Sequence, residues 1–107
     1  MSTKQKNERA IQLEALEKAA EALRVLAHKH RLLMVQLLLQ GEHAVGEVAD
    51  ASGIPRNTAS EHLKLLKSYR GLKAKKDGRS VCYSVVDRRQ LAKIRAFIEL
   101  RLDMSAE

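Results

Sequence analysis

The chain has 107 residues, one cysteine and a formal net charge of +7, which is the size of a single domain and excludes an intramolecular disulfide framework. Hydrophobic residues make up 45% of it but aromatic ones only 3%, so the apolar content is aliphatic and helix-forming, which argues against an all-β fold. The longest apolar run, Leu32 to Leu39, is interrupted by Gln36 and is too short to span a bilayer.

Residues 1–6 read as a flexible polar tail, with the folded domain expected over 7–107. Met1 to Asn7 lacks the apolar segment of a secretory leader, so a cytoplasmic protein is expected. From Asn7, a candidate N-cap, a helical pattern places Leu13, Leu16, Ala20, Leu23 and Ala27 on one face and Glu14, Glu17, Lys18 and Glu21 on the other. The spacing resembles a heptad seam, which suits packing against a second chain. Arg31 to Gln40 is apolar nearly all round and stops at Gly41; it reads as a buried helix at the centre of the core.

A short helical pattern (Val45, Val48, Ala49) then stops at Ser52-Gly53, and a second restarts at Pro55. Gly53 suits the left-handed position that ends a helix, and Pro55 suits a first turn. Two helices this close cross steeply, as in a helix-turn-helix. At about 100° per residue, Ala59, Leu63 and Leu66 of the second helix fall on the core side. Asn57, Ser60, Glu61, Lys64 and Ser68 fall opposite, a face of small, hydrogen-bonding and cationic groups suited to base edges and phosphates.

Leu72 to Val85 is two alternating runs joined by Asp77-Gly78, a pair that favours a type I′ hairpin. Lys75, Lys76 and Arg79 crowd its tip, forming a cationic wing. Between Pro55 and Ser80 there are eight bases against two acids, an excess of six, so nearly all the net charge lies on this unit. Asp87 is placed to cap a last helix, with Gln90 three residues on. Its stripe of Leu91, Ile94, Phe97, Ile98 and Leu102 is too wide for a monomer of this size to hide. The two terminal helices are therefore the expected dimer interface.

His28 and His30 would point about 200° apart on a regular helix and could share an ion only if the backbone were non-helical; surface or capping roles are expected, with no metal and no cofactor. His62, beside Leu65 and Tyr69, suits half-buried packing better than base reading. Glu61 has two readings: acceptance from a cytosine amino group, or an ion pair with Arg56 or Lys64. Cys82, on the face opposite Val81 and Tyr83, is read as inert packing, with oxidation as the alternative.

Four blocks, Leu23-Arg-Val-Leu-Ala-His-Lys-His-Arg-Leu-Leu-Met-Val-Gln-Leu-Leu, Glu42-His-Ala-Val-Gly-Glu-Val-Ala, Thr58-Ala-Ser-Glu-His-Leu-Lys-Leu-Leu and Asp77-Gly-Arg-Ser-Val-Cys-Tyr-Ser-Val, resemble the ArsR/SmtB family of bacterial winged-helix repressors over about residues 10–104. The resemblance implies a homodimeric repressor released from its operator by an effector, often a metal ion. Family members with a thiolate site carry Cys-x-Cys where this chain has Ala44-Val-Gly46. Those with a zinc site on the last helix use Asp and His near its start and paired His or Glu near its end, where this chain keeps Asp87 but has Arg89, Leu100 and Asp103. Two carboxylates, Asp87 and Asp103, with no imidazole or thiolate make no tetrahedral zinc site of the family type.

The expected fold is mainly α with a small β-hairpin wing: a winged helix-turn-helix, dimeric through its terminal helices. The expected function is a sequence-specific DNA-binding transcriptional regulator, a repressor reading a palindromic operator in double-stranded DNA. Asn57, Ser60 and Glu61 would reach bases, Arg56 and Thr58 would assist, and Lys64, Lys75, Lys76 and Arg79 would hold phosphates. The rival is a winged-helix module that binds protein or RNA, which accounts for the charge but not for the small polar face. Against an enzyme stand the lack of a histidine paired with Cys82, of a carboxylate dyad and of a phosphate-cradling glycine loop. The sequence names no effector and no membrane partner.

Overall fold

The computed structural model describes residues 1–68 and 72–105. Helix α1 (Thr3–Leu26) starts ahead of the expected Asn7, within the stretch read as a tail. The reason is a reciprocal cap: Ser2 Oγ accepts from the Gln5 amide at 3.2 Å and Gln5 Oε1 accepts from the Ser2 amide at 2.9 Å, which satisfies donors that a first turn leaves open. At the other end only Val25 and Leu26 are buried, and Ala27, expected on the apolar stripe, is the exposed C-cap. Ile11, Leu13, Leu16 and Leu23 are exposed on this chain.

Helix α2 (Lys29–Gln40) is the centre of the core, with Met34, Val35, Leu38 and Leu39 buried. It starts two residues ahead of Arg31 because His28 caps it: the His28 backbone is extended (φ −155, ψ 132) and its Nδ1 accepts from the His30 amide at 3.1 Å. A two-residue strand, β1 (His43–Ala44), not anticipated from the sequence, leads into α3 (Val45–Ser52). Glu47 Oε1 accepts from the Ala44 amide at 3.0 Å at the start of α3.

Gly53 adopts the left-handed conformation (φ 69, ψ 33). Its amide donates to the Asp50 carbonyl at 3.3 Å and the Ile54 amide to the Ala49 carbonyl at 3.2 Å, the paired bonds of a Schellman stop. Pro55 then precedes α4 (Arg56–Ser68), whose Ala59, Leu63 and Leu66 are fully buried. This is the expected helix-turn-helix.

Strands β2 (Leu72–Asp77) and β3 (Ser80–Val85) form the wing in an antiparallel sheet of order β1-β3-β2. Asp77 pairs with Ser80, so the turn residues are Gly78 and Arg79 rather than Asp77 and Gly78. Only Gly78 has a positive φ (62); glycine in the first central position is the type II′ pattern, not the expected type I′. Asp77 thereby keeps strand backbone and glycine alone takes the left-handed position.

Helix α5 (Arg88–Ser105) is capped by Asp87, whose Oδ1 accepts from the Arg89 amide at 3.0 Å. Arg88 Nη2 donates to the Leu39 carbonyl at 2.6 Å and fastens the start of α5 to the end of α2. Leu91 enters the core and Ile94 packs against it, whereas Phe97 and Leu100 are exposed. The expected roles of Tyr69, of the Gln90 side chain and of Leu102 lie outside what is described. Among the described residues no helix is long and apolar enough to cross a membrane.

Candidate nucleic-acid interface

The amphipathic pattern of α4 fixes which side chains face outward. With Ala59, Leu63 and Leu66 buried, Arg56, Asn57, Glu61 and Lys64 are exposed, and Thr58 and Ser60 are half-buried beside them. Asn57 Oδ1 accepts from the Thr58 amide at 3.0 Å, which leaves its NH2 group for a ligand. The ion pair considered for Glu61 is not formed: among the described residues it pairs with neither Arg56 nor Lys64.

Arg56 is held in a way the sequence did not disclose. A Cβ on Gly46 of α3 would stand 2.9 Å from Arg56 Nη2 and 3.0 Å from Cζ, so the missing side chain of Gly46 is the space in which the guanidinium lies. The wing supplies the second cluster of cations. Lys75, Lys76 and Arg79 are all exposed; Lys75 stands opposite Cys82 and Lys76 opposite Val81, so the two lysines take opposite faces of the ribbon. Arg79 occupies the turn itself.

The region between α1, α2 and α4 holds a constellation that sequence reasoning set aside. One ring nitrogen from each of His28, His30 and His62 lies within 4.8 Å of the others. The condition identified for His28 and His30 to meet, a non-helical backbone, is satisfied because His28 is the extended N-cap of α2. Arg31 completes the cluster: its Nε donates to the Val25 carbonyl and its Nη1 lies 3.1 Å from His62 Nδ1. Burial, followed by the Arg31, His30 and Lys29 charges, pushes the His28 pKa down. His62 is pushed down by burial and then by His28, Arg31 and His30, with Glu61 opposing. His43 stands apart, its Nδ1 donating to the Gly41 carbonyl at 2.8 Å.

Cys82 is half-buried and free. Burial first, then the charges of Glu42 and Asp77, push its pKa up. The positions matching the usual metal sites do not fit a metal. Ala44 and Gly46 offer no donor side chain, and the Asp87 carboxylate is engaged in capping α5.

A family model for a helix-turn-helix domain matches residues 26–72. The HTH-type transcriptional repressor SmtB of Mycobacterium tuberculosis is 36% identical over 74 residues, which are 69% of this chain and 55% of that protein, so the chain spans about half the length of this relative. An HTH-type transcriptional regulator of Methanocaldococcus jannaschii is 36% identical over 78 residues, 72% of this chain and 88% of that one. The solution structure of the homodimeric winged helix-turn-helix DNA-binding domain of a possible ArsR-family transcriptional regulator from Mycobacterium bovis matches with a TM-score of 0.75 at 30% identity, covering 90% of this chain and 88% of that one. A crystal structure described as a possible transcriptional regulator for arsenical resistance matches with a TM-score of 0.61 at 34% identity, covering 74% and 81%. With the winged helix-turn-helix, the four sequence blocks and these relatives in agreement, the chain belongs to the ArsR/SmtB family of transcriptional regulators.

Proposed function

We propose that the protein is a cytoplasmic, sequence-specific DNA-binding repressor that acts as a homodimer on a palindromic operator. The observation that carries this reading is the two-sidedness of α4: Ala59, Leu63 and Leu66 are fully buried inside, and the outer face carries Arg56, Asn57, Ser60, Glu61 and Lys64, with the exposed Leu65 at its edge. Such a helix presents hydrogen-bonding and charged groups to a major groove. Asn57, Ser60 and Glu61 read base edges, with Arg56 and Thr58 at the start of the helix. Lys64 and the wing residues Lys75, Lys76 and Arg79 hold phosphates, which fix register without reading sequence.

The terminal helices supply the reason for dimerisation. Ile11, Leu13, Leu16 and Leu23 on α1 and Phe97 and Leu100 on α5 are more than half exposed on the single chain. A second copy covering these faces removes them from water and sets two α4 helices one helical turn of duplex apart, about 34 to 36 Å. In a gel shift with native genomic duplex fragments at low ionic strength, discrete complexes containing two chains are expected. Indifference to every fragment, or equal binding of any duplex and RNA, refutes operator recognition.

A further inference from the structure

We infer that His28, His30 and His62 form a binding site for a divalent transition-metal ion of the zinc, cobalt or nickel type, and that the ion and Arg31 compete for the site. The site draws on two separate parts of the chain. His28 and His30 come from the start of α2 and His62 from α4, with ring centroids 4.5 Å apart for His28 and His62, 5.3 Å for His28 and His30, and 6.0 Å for His30 and His62. Because His28 lies before the helix in extended backbone and His30 lies in its first turn, the two rings turn to the same side.

Metal–nitrogen bonds of about 2.0–2.1 Å in tetrahedral geometry put ligand nitrogens about 3.4 Å apart. The three nitrogens, within 4.8 Å of one another, reach that spacing by side-chain rotation. Three imidazoles with no thiolate select borderline ions over calcium or magnesium, which take oxygen ligands, and leave a fourth position to water. The plainer account of these residues is a helix cap and a packed imidazole stack. It accounts for the His30 ring as packing but gives its nitrogens no partner, since that ring makes no hydrogen bond among the described residues.

The hydrogen bonds at the site set the terms of binding. His28 Nδ1 accepts from the His30 amide, and His62 Nδ1 faces Arg31 Nη1. Arginine only donates, so the proton of each neutral ring is on Nε2. An ion on Nε2 drives that proton off the ring, and a neutral ring ligated there carries its proton on Nδ1, where it collides with the Arg31 donor. An ion on Nδ1 displaces the same donor directly. Either way, binding breaks the Arg31–His62 bond and replaces it with a metal tie between α2 and α4. Removing Arg31 therefore strengthens the site.

The test is titration of the metal-free protein with Co(II), followed by its visible absorption, and displacement by Zn(II), with no duplex present, so that its outcome is separate from that of operator recognition. One ion per chain at micromolar affinity is expected. His30→Gln, His62→Gln and His28→Asn should each weaken binding about tenfold or more, whereas His43→Gln should leave it unchanged. Asn keeps an N-cap acceptor at position 28, and circular dichroism verifies that each variant is folded. Arg31→Gln should bind more tightly than the unaltered protein. Absence of saturable binding, undiminished binding by His30→Gln, or weaker binding by folded Arg31→Gln overturns the inference.

Discussion

The guanidinium of Arg31 stands 3.1 Å from the imidazole Nδ1 of His62 while its Nε donates to the Val25 carbonyl. A single half-buried side chain thus joins the end of α1 and the start of α2 to the flank of the helix proposed to enter DNA. Hydrogen bonds from a charged donor are each worth about 1.5–3 kcal/mol, and truncation leaves a carbonyl and a ring nitrogen without their partner. Arg31→Ala should cost about 3 kcal/mol, seen as a lower urea midpoint at unchanged slope. Arg31→Lys should recover little, because one ammonium cannot reproduce the fork.

Gly53 carries the sharp reversal between α3 and α4 at φ 69. Its Cβ position is open, with nothing within 4 Å, so the penalty for a side chain is conformational and not steric crowding by neighbours. Gly53→Ala should destabilise by about 1 kcal/mol, and Gly53→Asn by less, because Asn tolerates the left-handed region. Thermal denaturation of the two variants ranks them.

Much of the fold was legible because it rests on periodicity and punctuation. Ala59, Leu63 and Leu66 lie on one side of α4 by spacing alone, and Gly53 with Pro55 marks the turn chemically. The misplaced details depend on side-chain hydrogen bonds and pairing register, which leave weak traces in sequence. Ser2 and Gln5 cap α1 within a stretch whose polarity suggested a tail, and pairing of Asp77 with Ser80 moved the turn by one residue. The histidine cluster was set aside because His28 and His30 were placed on one regular helix. The capping role expected among these histidines is the one His28 plays, and the extended backbone of that cap is what lets its ring meet His30. The seat of Arg56 over Gly46 is a tertiary contact that only the packing of α3 on α4 reveals.

If the exposed apolar faces of α1 and α5 meet a second copy, charges placed there should separate the chains. Leu16 is 57% and Phe97 64% exposed, so Leu16→Glu and Phe97→Glu should leave the monomer fold intact by circular dichroism. Light scattering should show monomers at concentrations where the unaltered protein is dimeric. Loss of the second half-site contact should weaken operator binding by about a hundredfold. Retention of the dimer by both variants refutes this interface.

The Cys82 thiol, its pKa pushed up by burial and by Glu42, holds its proton at neutral pH more firmly than a free cysteine. The thiolate is the reactive form, so a raised pKa lowers reactivity. Alkylation by iodoacetamide at neutral pH should be slower than that of a model thiol and should keep rising at pH values where the model thiol has levelled off. Glu42→Gln should speed it. Duplex binding should survive peroxide; loss of binding that Cys82→Ser prevents would establish a redox role.

The two groups of proposed DNA contacts should respond differently to salt and to sequence. Lys76→Ala and Arg79→Ala remove exposed cations from the wing. Each should weaken binding similarly on every duplex and reduce the slope of log affinity against log salt by about one unit. Glu61, exposed and unpaired with Arg56 or Lys64 among the described residues, has no structural ion pair there to lose. Glu61→Gln should therefore change which base is preferred at one operator position, because an amide donates as well as accepts where the carboxylate only accepts from a cytosine amino group. Selection of bound sequences by the two proteins decides: a uniform gain in affinity with an unchanged preferred sequence assigns Glu61 to phosphate repulsion alone and removes it from the base-reading set.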